Sequence, residues 1–340
     1  MLILGIETSC DETAAAVVQD GRTVLAEVVS SQIALHSPYG GVVPELASRR
    51  HVEMVLPVID ETLSKAGLAA ADLDAIAVTL GPGLVGALLV GISTAKAMAY
   101  ALNKPLIAVN HLEGHMHAAF LGGEPAGKPF VCLVVSGGHT ALYLVGVDQD
   151  IRFLGATRDD AAGEAFDKVA KILGLGYPGG VAIDKLASAG NPRAFPFPKA
   201  YLEKDSLDFS FSGIKTAVAN FVKRFGGPTD SEAVTPYRLA DLVASFQEAV
   251  VEVLLDKTVM AAKFTGVQDI AVVGGVSANS RLRQRFREEC DCRQWRLHLP
   301  ELRYCTDNAV MIAAAAYSVW RREGFCTDFI GLDAVSRWFH

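Results

Sequence analysis

The sequence predicts an α/β protein with mixed sheets, built from two related halves. Three observations carry this. Apolar strand-like runs alternate with longer helical stretches along the chain. Two hairpin patterns, residues 2–7 with 13–18 and residues 130–135 with 140–146, stand about 128 residues apart. The 340 residues are 51% hydrophobic and 20% charged, which suits a globular chain of two domains.

In chain order, the first hairpin turns through "TSCDE". "PELASRRHVEMVLPVIDETLSKAG" is helical, and "LDAIAVTLGPG" is a strand running into a glycine turn. "GLVGALLVGISTAKAMAYAL" is interrupted by Ser, Thr and Lys96, so it reads as a buried helix rather than a membrane span. "PLIAVN" is a strand, and the second hairpin turns through "SGGH". "AAGEAFDKVAKILGL" and "RLADLVASFQEAVVEVLLDKTVMAAKF" are helices. "DIAVVGGVSAN" is a strand with a glycine loop, followed by the helices "SRLRQRFREEC" and "DNAVMIAAAAYSVWRREG". "NPRAFPFPKAYLEKDSLDFSFSG", rich in Pro, Phe and charge, reads as a surface excursion.

A net charge of −7 argues against a freestanding nucleic-acid binder, because phosphate contacts need clustered Lys and Arg. The start "MLILGIETSC" lacks the basic leader of a signal peptide and reads as a strand. Six cysteines without a CxxC pair fit a reducing cytoplasm and offer no thiolate metal motif.

The chemistry-bearing patterns are few. "AVNHLEGHMHA" places His111 and His115 four apart, on one face of a helix and close enough to share a cation. The other reading is two histidines satisfied by hydrogen bonds. A zinc protease would need H-E-x-x-H, but Leu112 follows His111, and Glu113 points away on a helix. A third metal ligand has to come from elsewhere, and Asp307 in "YCTDN" is a candidate. The glycines of "VVSGGHT" and "VVGGVSANSRL" let a backbone approach a phosphate, although tight turns explain them as well. Neither is GxGxxG, which argues against a Rossmann dehydrogenase. Asp167 and Asp184 flank the Gly179-Gly180 turn and suit ribose hydroxyls, or are solvated helix charges. Asp11 and Glu12 sit at the tip of the first turn, where turn preference alone also places acids.

"GIETSCDET", "YGGVVPELASRRH", "NHLEGHMHA", "VSGGHT", "GEAFDKVAKILGLGYPGG", "FSFSGIKTA", "GGVSANSRLR" and "CTDNAVMIA" occur in this order across nearly the whole chain. The set closely resembles the TsaD family of tRNA N6-adenosine threonylcarbamoyltransferases. The resemblance implies a two-lobed actin-like, Hsp70-like ATPase fold with duplicated mixed-sheet halves and a cleft between them. The lobes are expected at residues 1–110 plus 308–340 and at 111–307. It implies one metal, Fe(2+) or Zn(2+), on His111, His115 and Asp307, with His117 and His139 not ligands. It implies that Val134, Val135, Ser136, Gly137, Gly138, Asp167, Gly180, Asp184 and Asn279 bind an adenylate.

The implied substrate is threonylcarbamoyl-AMP, attacked by the exocyclic amine of adenosine 37 in tRNAs reading codons that begin with A. AMP leaves, and no enzyme nucleophile is needed. Asp11 and Glu12 are candidates for assisting removal of the amine proton. The expected partners are tRNA, a TsaB-like paralogue and a TsaE-like ATPase, with no membrane. The alternatives are a metalloprotease, an activity older descriptions of similar sequences carried, and a non-catalytic nucleotide-binding partner subunit.

Overall fold

The computed structural model describes residues 1–121, 127–147, 150–199, 205–226 and 237–338. Its first sheet begins with β1 (Leu2–Glu7) and β2 (Glu12–Gln19), antiparallel with Ile3 opposite Val18 and Gly5 opposite Ala16. β3 (Thr23–Ser31) pairs antiparallel with β2, while β4 (Ala75–Gly81) and β5 (Leu106–Asn110) add in parallel on the other side. The order is β3-β2-β1-β4-β5. The central strands are buried on both faces, which is why they read as unbroken apolar runs. Alternate side chains go to opposite faces. Leu4, Ile6, Ala15 and Val17 pack under α2 (Pro44–Ala66) and α3 (Val85–Leu102), which follow the single-turn α1 (Ile33–His36). Ile3, Ala14, Ala16 and Val18 pack on the far side, against the alanines and Val310, Met311 and Ile312 of the last helix.

The second sheet repeats this arrangement. β6 (Phe130–Val135), β7 (Thr140–Val145) and β8 (Ile151–Ala156) are antiparallel, and β9 (Asp269–Val273) and β10 (Arg296–His298) extend β6 in parallel. The order β10-β9-β6-β7-β8 is the first sheet's order, strand for strand, with five added to each number. The predicted duplication is therefore present in the topology. β3, β8 and β10 were not read from the sequence, because β3 and β8 are half-exposed edge strands and β10 has only three residues.

The chain divides into two units. One holds the described residues up to 121 and those from 300 to 338, including α4 (His111–Ala118) and α10 (Ala309–Glu323). The other runs from 127 to 299 and holds α5 (Ala162–Ile172), α6 (Gly179–Ala187), α7 (Ser212–Phe225), α8 (Leu239–Thr265) and α9 (Ser280–Arg293). These limits differ from the expected 1–110 plus 308–340 and 111–307. The reason is packing. Gly114 of α4 lies against Ile312 and Met311 of α10, and Tyr304 belongs to the first unit's core. The expected surface excursion is also partly internal, since Phe209 and Phe211 are core residues of the second unit. Residues 200–204 of it lie outside the described residues.

α10 is rich in alanine because it must lie close to β1. A Cβ on Gly5 would stand 2.5 Å from the Ala309 carbonyl oxygen and 2.8 Å from the Ala313 nitrogen. Gly5→Ala is therefore expected to lower stability by about 1–3 kcal/mol in urea unfolding. Gly213→Ala, whose methyl would meet open space, is expected to leave the midpoint unchanged or raise it.

Candidate metal centre and anion loops

His111 and His115 owe their positions to a helix start. Asn110 ends β5, and its side-chain oxygen accepts the Leu112 and Glu113 N–H groups at 2.8 and 3.3 Å. The two imidazoles then lie one turn apart, with ring centroids 4.7 Å apart and planes at 81°. Asp307 arrives from the other end of the chain. Asn308 caps α10 by accepting the Met311 N–H at 2.9 Å, which fixes the residue before it.

Asp307 Oδ1 is 3.4 Å from His111 Nε2 and 3.2 Å from His115 Nε2, and one ligand atom from each residue lies within 4.8 Å of the others. Two atoms bound at ~2.1 Å to one ion at the tetrahedral angle lie about 3.4 Å apart. His115 is buried, its Nδ1 has no hydrogen-bond partner and its Nε2 faces only Asp307 among the described residues, an under-satisfied ring in a native core that fits a ligand to a cation. Two imidazoles and a carboxylate form a donor set that fits one divalent cation and leaves a coordination position open.

The electrostatics agree. Burial would lower the His111 pKa, but the charges and hydrogen bonds of Asp307 and Glu7 hold its imidazolium well above the usual range. Burial would raise Asp307, but His111 and His115 hold its carboxyl far below the ordinary value. A proton on His111 thus stands where a cation's charge would. Glu113 faces elsewhere: it takes both ends of the Arg322 guanidinium at 3.0 and 3.4 Å, so it has no protease role beside the histidines.

The "TSCDE" turn is anchored from α2. His51 Nε2 donates to the Cys10 carbonyl at 3.0 Å, and Thr13 donates to Nδ1 at 2.8 Å. Burial, then Asp11 and Asp307, pushes Glu12 up to about 9, so it keeps its proton at neutral pH. Burial and Asp11 also push the Cys10 thiol up, which removes it as a thiolate nucleophile.

In the second unit the adenylate candidates form a connected set near the carboxyl ends of β6 and β9. Val134 and Val135 end β6, and the turn after them is closed by Ser136 N–H to the His139 carbonyl at 2.7 Å. Gly163 N–H donates to the Ser136 carbonyl at 3.1 Å, bringing the start of α5 onto the turn. A Cβ on Gly163 would be 2.6 Å from that oxygen, so only glycine allows the approach. Added methyls on Gly137 and Gly138 would meet nothing within 4 Å, which leaves that backbone open to a ligand.

Asp167, on α5, accepts the Gly179 N–H at 2.7 Å, next to Gly180. Asp184 takes the Ser280 N–H at 3.0 Å and its hydroxyl at 2.8 Å. Asn279 caps α9 through the Leu282 N–H at 2.9 Å and donates to Gln247 at 2.7 Å. Asp184 and Asn279 therefore also hold the loops in place. Sequence reasoning passed over Glu7, His51 and Gln247; the available signal was a lone acid or polar group inside an otherwise apolar element.

The TsaD profile, described as tRNA N6-adenosine threonylcarbamoyltransferase, matches residues 23–314. A protein of that name from Syntrophobacter fumaroxidans is 67% identical over 339 residues, covering 100% of both chains. One from Symbiobacterium thermophilum is 56% identical over 94% of this chain and 92% of its own. Among solved structures, full-length HypF in its phosphate- and nucleotide-bound form aligns with TM-score 0.61 at 14% identity, over 96% of this chain and 47% of that one. The activator of 2-hydroxyisocaproyl-CoA dehydratase from Clostridium difficile with bound ADPNP aligns with TM-score 0.54 at 15% identity, over 95% and 96%. Likeness at that identity speaks for the fold alone, and the fold class is the expected one.

Single replacement of His111, His115 or Asp307 by Ala is expected to strip the purified chain of stoichiometric metal in elemental analysis. Metal affinity of the parent should fall as pH falls through the raised His111 pKa, because the ion must displace that proton. Glu12 works against folding at neutral pH: the unfolded chain ionises it from about 4.5, the folded chain only near 9. Glu12→Gln in the metal-free chain should therefore raise stability at pH 7–8 by roughly 1–3 kcal/mol, a gain that disappears near pH 4.

Proposed function

The chain belongs to the TsaD family, and on that premise we propose that its two clusters carry out threonylcarbamoyl transfer to tRNA. The protein is a transferase of t6A biosynthesis: it moves the threonylcarbamoyl group onto N6 of adenosine 37 in tRNAs reading codons that begin with A. The observation that carries the mechanism is the convergence of the His111–His115 pair with Asp307, nearly two hundred residues later, within 4.8 Å.

The donor is threonylcarbamoyl-AMP, a mixed anhydride that is already activated. The turn from Val134 to Gly138 holds its phosphate through the open backbone of Gly137 and Gly138. Asp167, Gly180 and Asp184 line the ribose side, and Asn279 shapes the loop that closes it. The amine nitrogen attacks the carbamoyl carbonyl carbon, the bond from that carbon to the phosphate oxygen breaks, and AMP departs. Binding and orienting the two reactants supplies much of the rate, since no covalent enzyme intermediate is required. His111, His115 and Asp307 hold one divalent cation, Fe(2+) or Zn(2+), which when bound supplies a Lewis acid for donor oxygens. Asp11 accepts the amine proton, with Glu12 beside it at the tip of the first turn.

An acidic chain reaches tRNA with help, so we assign it a TsaB-like paralogue and a TsaE-like ATPase as partners in the cytoplasm. The helix Val85–Leu102 alone among the described residues has the length and hydropathy to cross a membrane, and it packs on α2 and β4.

Incubation of tRNA with threonylcarbamoyl-AMP, ATP, the two partners and this chain should yield t6A on nucleoside mass spectrometry. Failure with a metal-loaded chain and active partners would overturn the assignment. Asp11→Asn should lower the transfer rate about 10²–10⁴-fold while leaving metal content unchanged.

A further inference from the structure

Glu7 is a carboxylate at the inner end of β1 with 0% exposure. Its partners are few and well placed. Oε1 accepts the Ser9 N–H at 2.5 Å, and Oε2 accepts the Thr79 hydroxyl at 2.6 Å. Oε2 also lies 3.1 Å from His111 Nδ1, and among the described residues that imidazole is the ion-pairing group Glu7 faces. The Ser9 hydroxyl is 3.1 Å from the same nitrogen.

We propose that Glu7 is the positioning residue of the metal centre: it holds His111 as the Nδ1–H tautomer and aims its Nε2 lone pair at the cation. This rests on reading His111, His115 and Asp307 as metal ligands. The opposite tautomer would set a lone pair against the Glu7 carboxylate and put an N–H into the space that the His115 and Asp307 ligand atoms face. Ser9 and Thr79 keep the carboxylate from rotating away, so the ring orientation is inherited from β1 and β4. The charge count supports the same arrangement. Two carboxylates, Glu7 and Asp307, and two neutral imidazoles sum to −2, which one divalent ion balances. A carboxylate behind a ligating histidine raises the basicity of the ring and the affinity of the site.

The test is the full-length chain titrated with Zn(2+) and with Co(2+) against a chromophoric chelator, with Co(2+) absorption reporting ligand geometry. Glu7→Gln keeps the side-chain shape but removes the charge and replaces one of the two acceptor oxygens, both in use here, with an NH2 donor. It is expected to bind one ion per chain 10–100-fold more weakly and to shift the Co(2+) bands. Thr79→Val, which frees the carboxylate while leaving it in place, should weaken binding severalfold and serves where Glu7→Gln does not fold. Affinities within twofold of the parent for the folded variants, with unshifted bands, would overturn the proposal. His111→Ala separates the two layers. If it abolishes binding while the Glu7 and Thr79 variants bind like the parent, only the role of Glu7 is lost. If it binds like the parent, the metal centre itself is misassigned.

Discussion

Two carboxylates, the fully buried Glu7 and the partly exposed Asp307, flank a single imidazole that balances their charge. An unpaired buried carboxylate is costly, and neutralising it needs a partner held at short range. Here the partners come from segments that meet only in the folded chain: the end of β1, the start of α4 and the turn before α10. The capping of α4 by Asn110 and of α10 by Asn308 sets where these groups stand. Local helix-start chemistry thus decides long-range geometry.

The second unit follows a different logic. Its candidate loops depend on backbone proximity and helix starts rather than on buried charge. Gly163 lets α5 touch the turn after β6, and Gly274, at φ 92°, lets the next strand's end pass within contact of Val135. Asp167, Asp184 and Asn279 spend part of their hydrogen-bonding capacity on the protein itself.

Much of this was legible in the amino acids. Paired hairpins at a fixed offset revealed the duplication because central strands lose their polar face and stand out as apolar runs. The spacing of His111 and His115 followed from helical periodicity. Asp307 could be only a candidate, since no local pattern says which distant acid completes a cluster. Glu7 was hidden by its context: at the end of an apolar strand, next to a polar turn, an acid looks like the first exposed residue. The strand β3 was missed because its burial does not alternate cleanly. The domain limits shifted because α4 and Tyr304 follow the packing surface of α10, and surface complementarity between remote helices leaves no mark in local sequence.

The last helix carries an implication for how the protein matures. One face of the first sheet is covered by α10, which the ribosome makes about three hundred residues after β1. Until then Ile3, Ala14 and Ala16 have no cover, and the two histidines wait without their carboxylate. The second unit, contiguous in the chain, has all its segments first. Chain order therefore lets the later domain close before the earlier one, and a cation on the two histidines would gain its carboxylate only once residue 307 has been made.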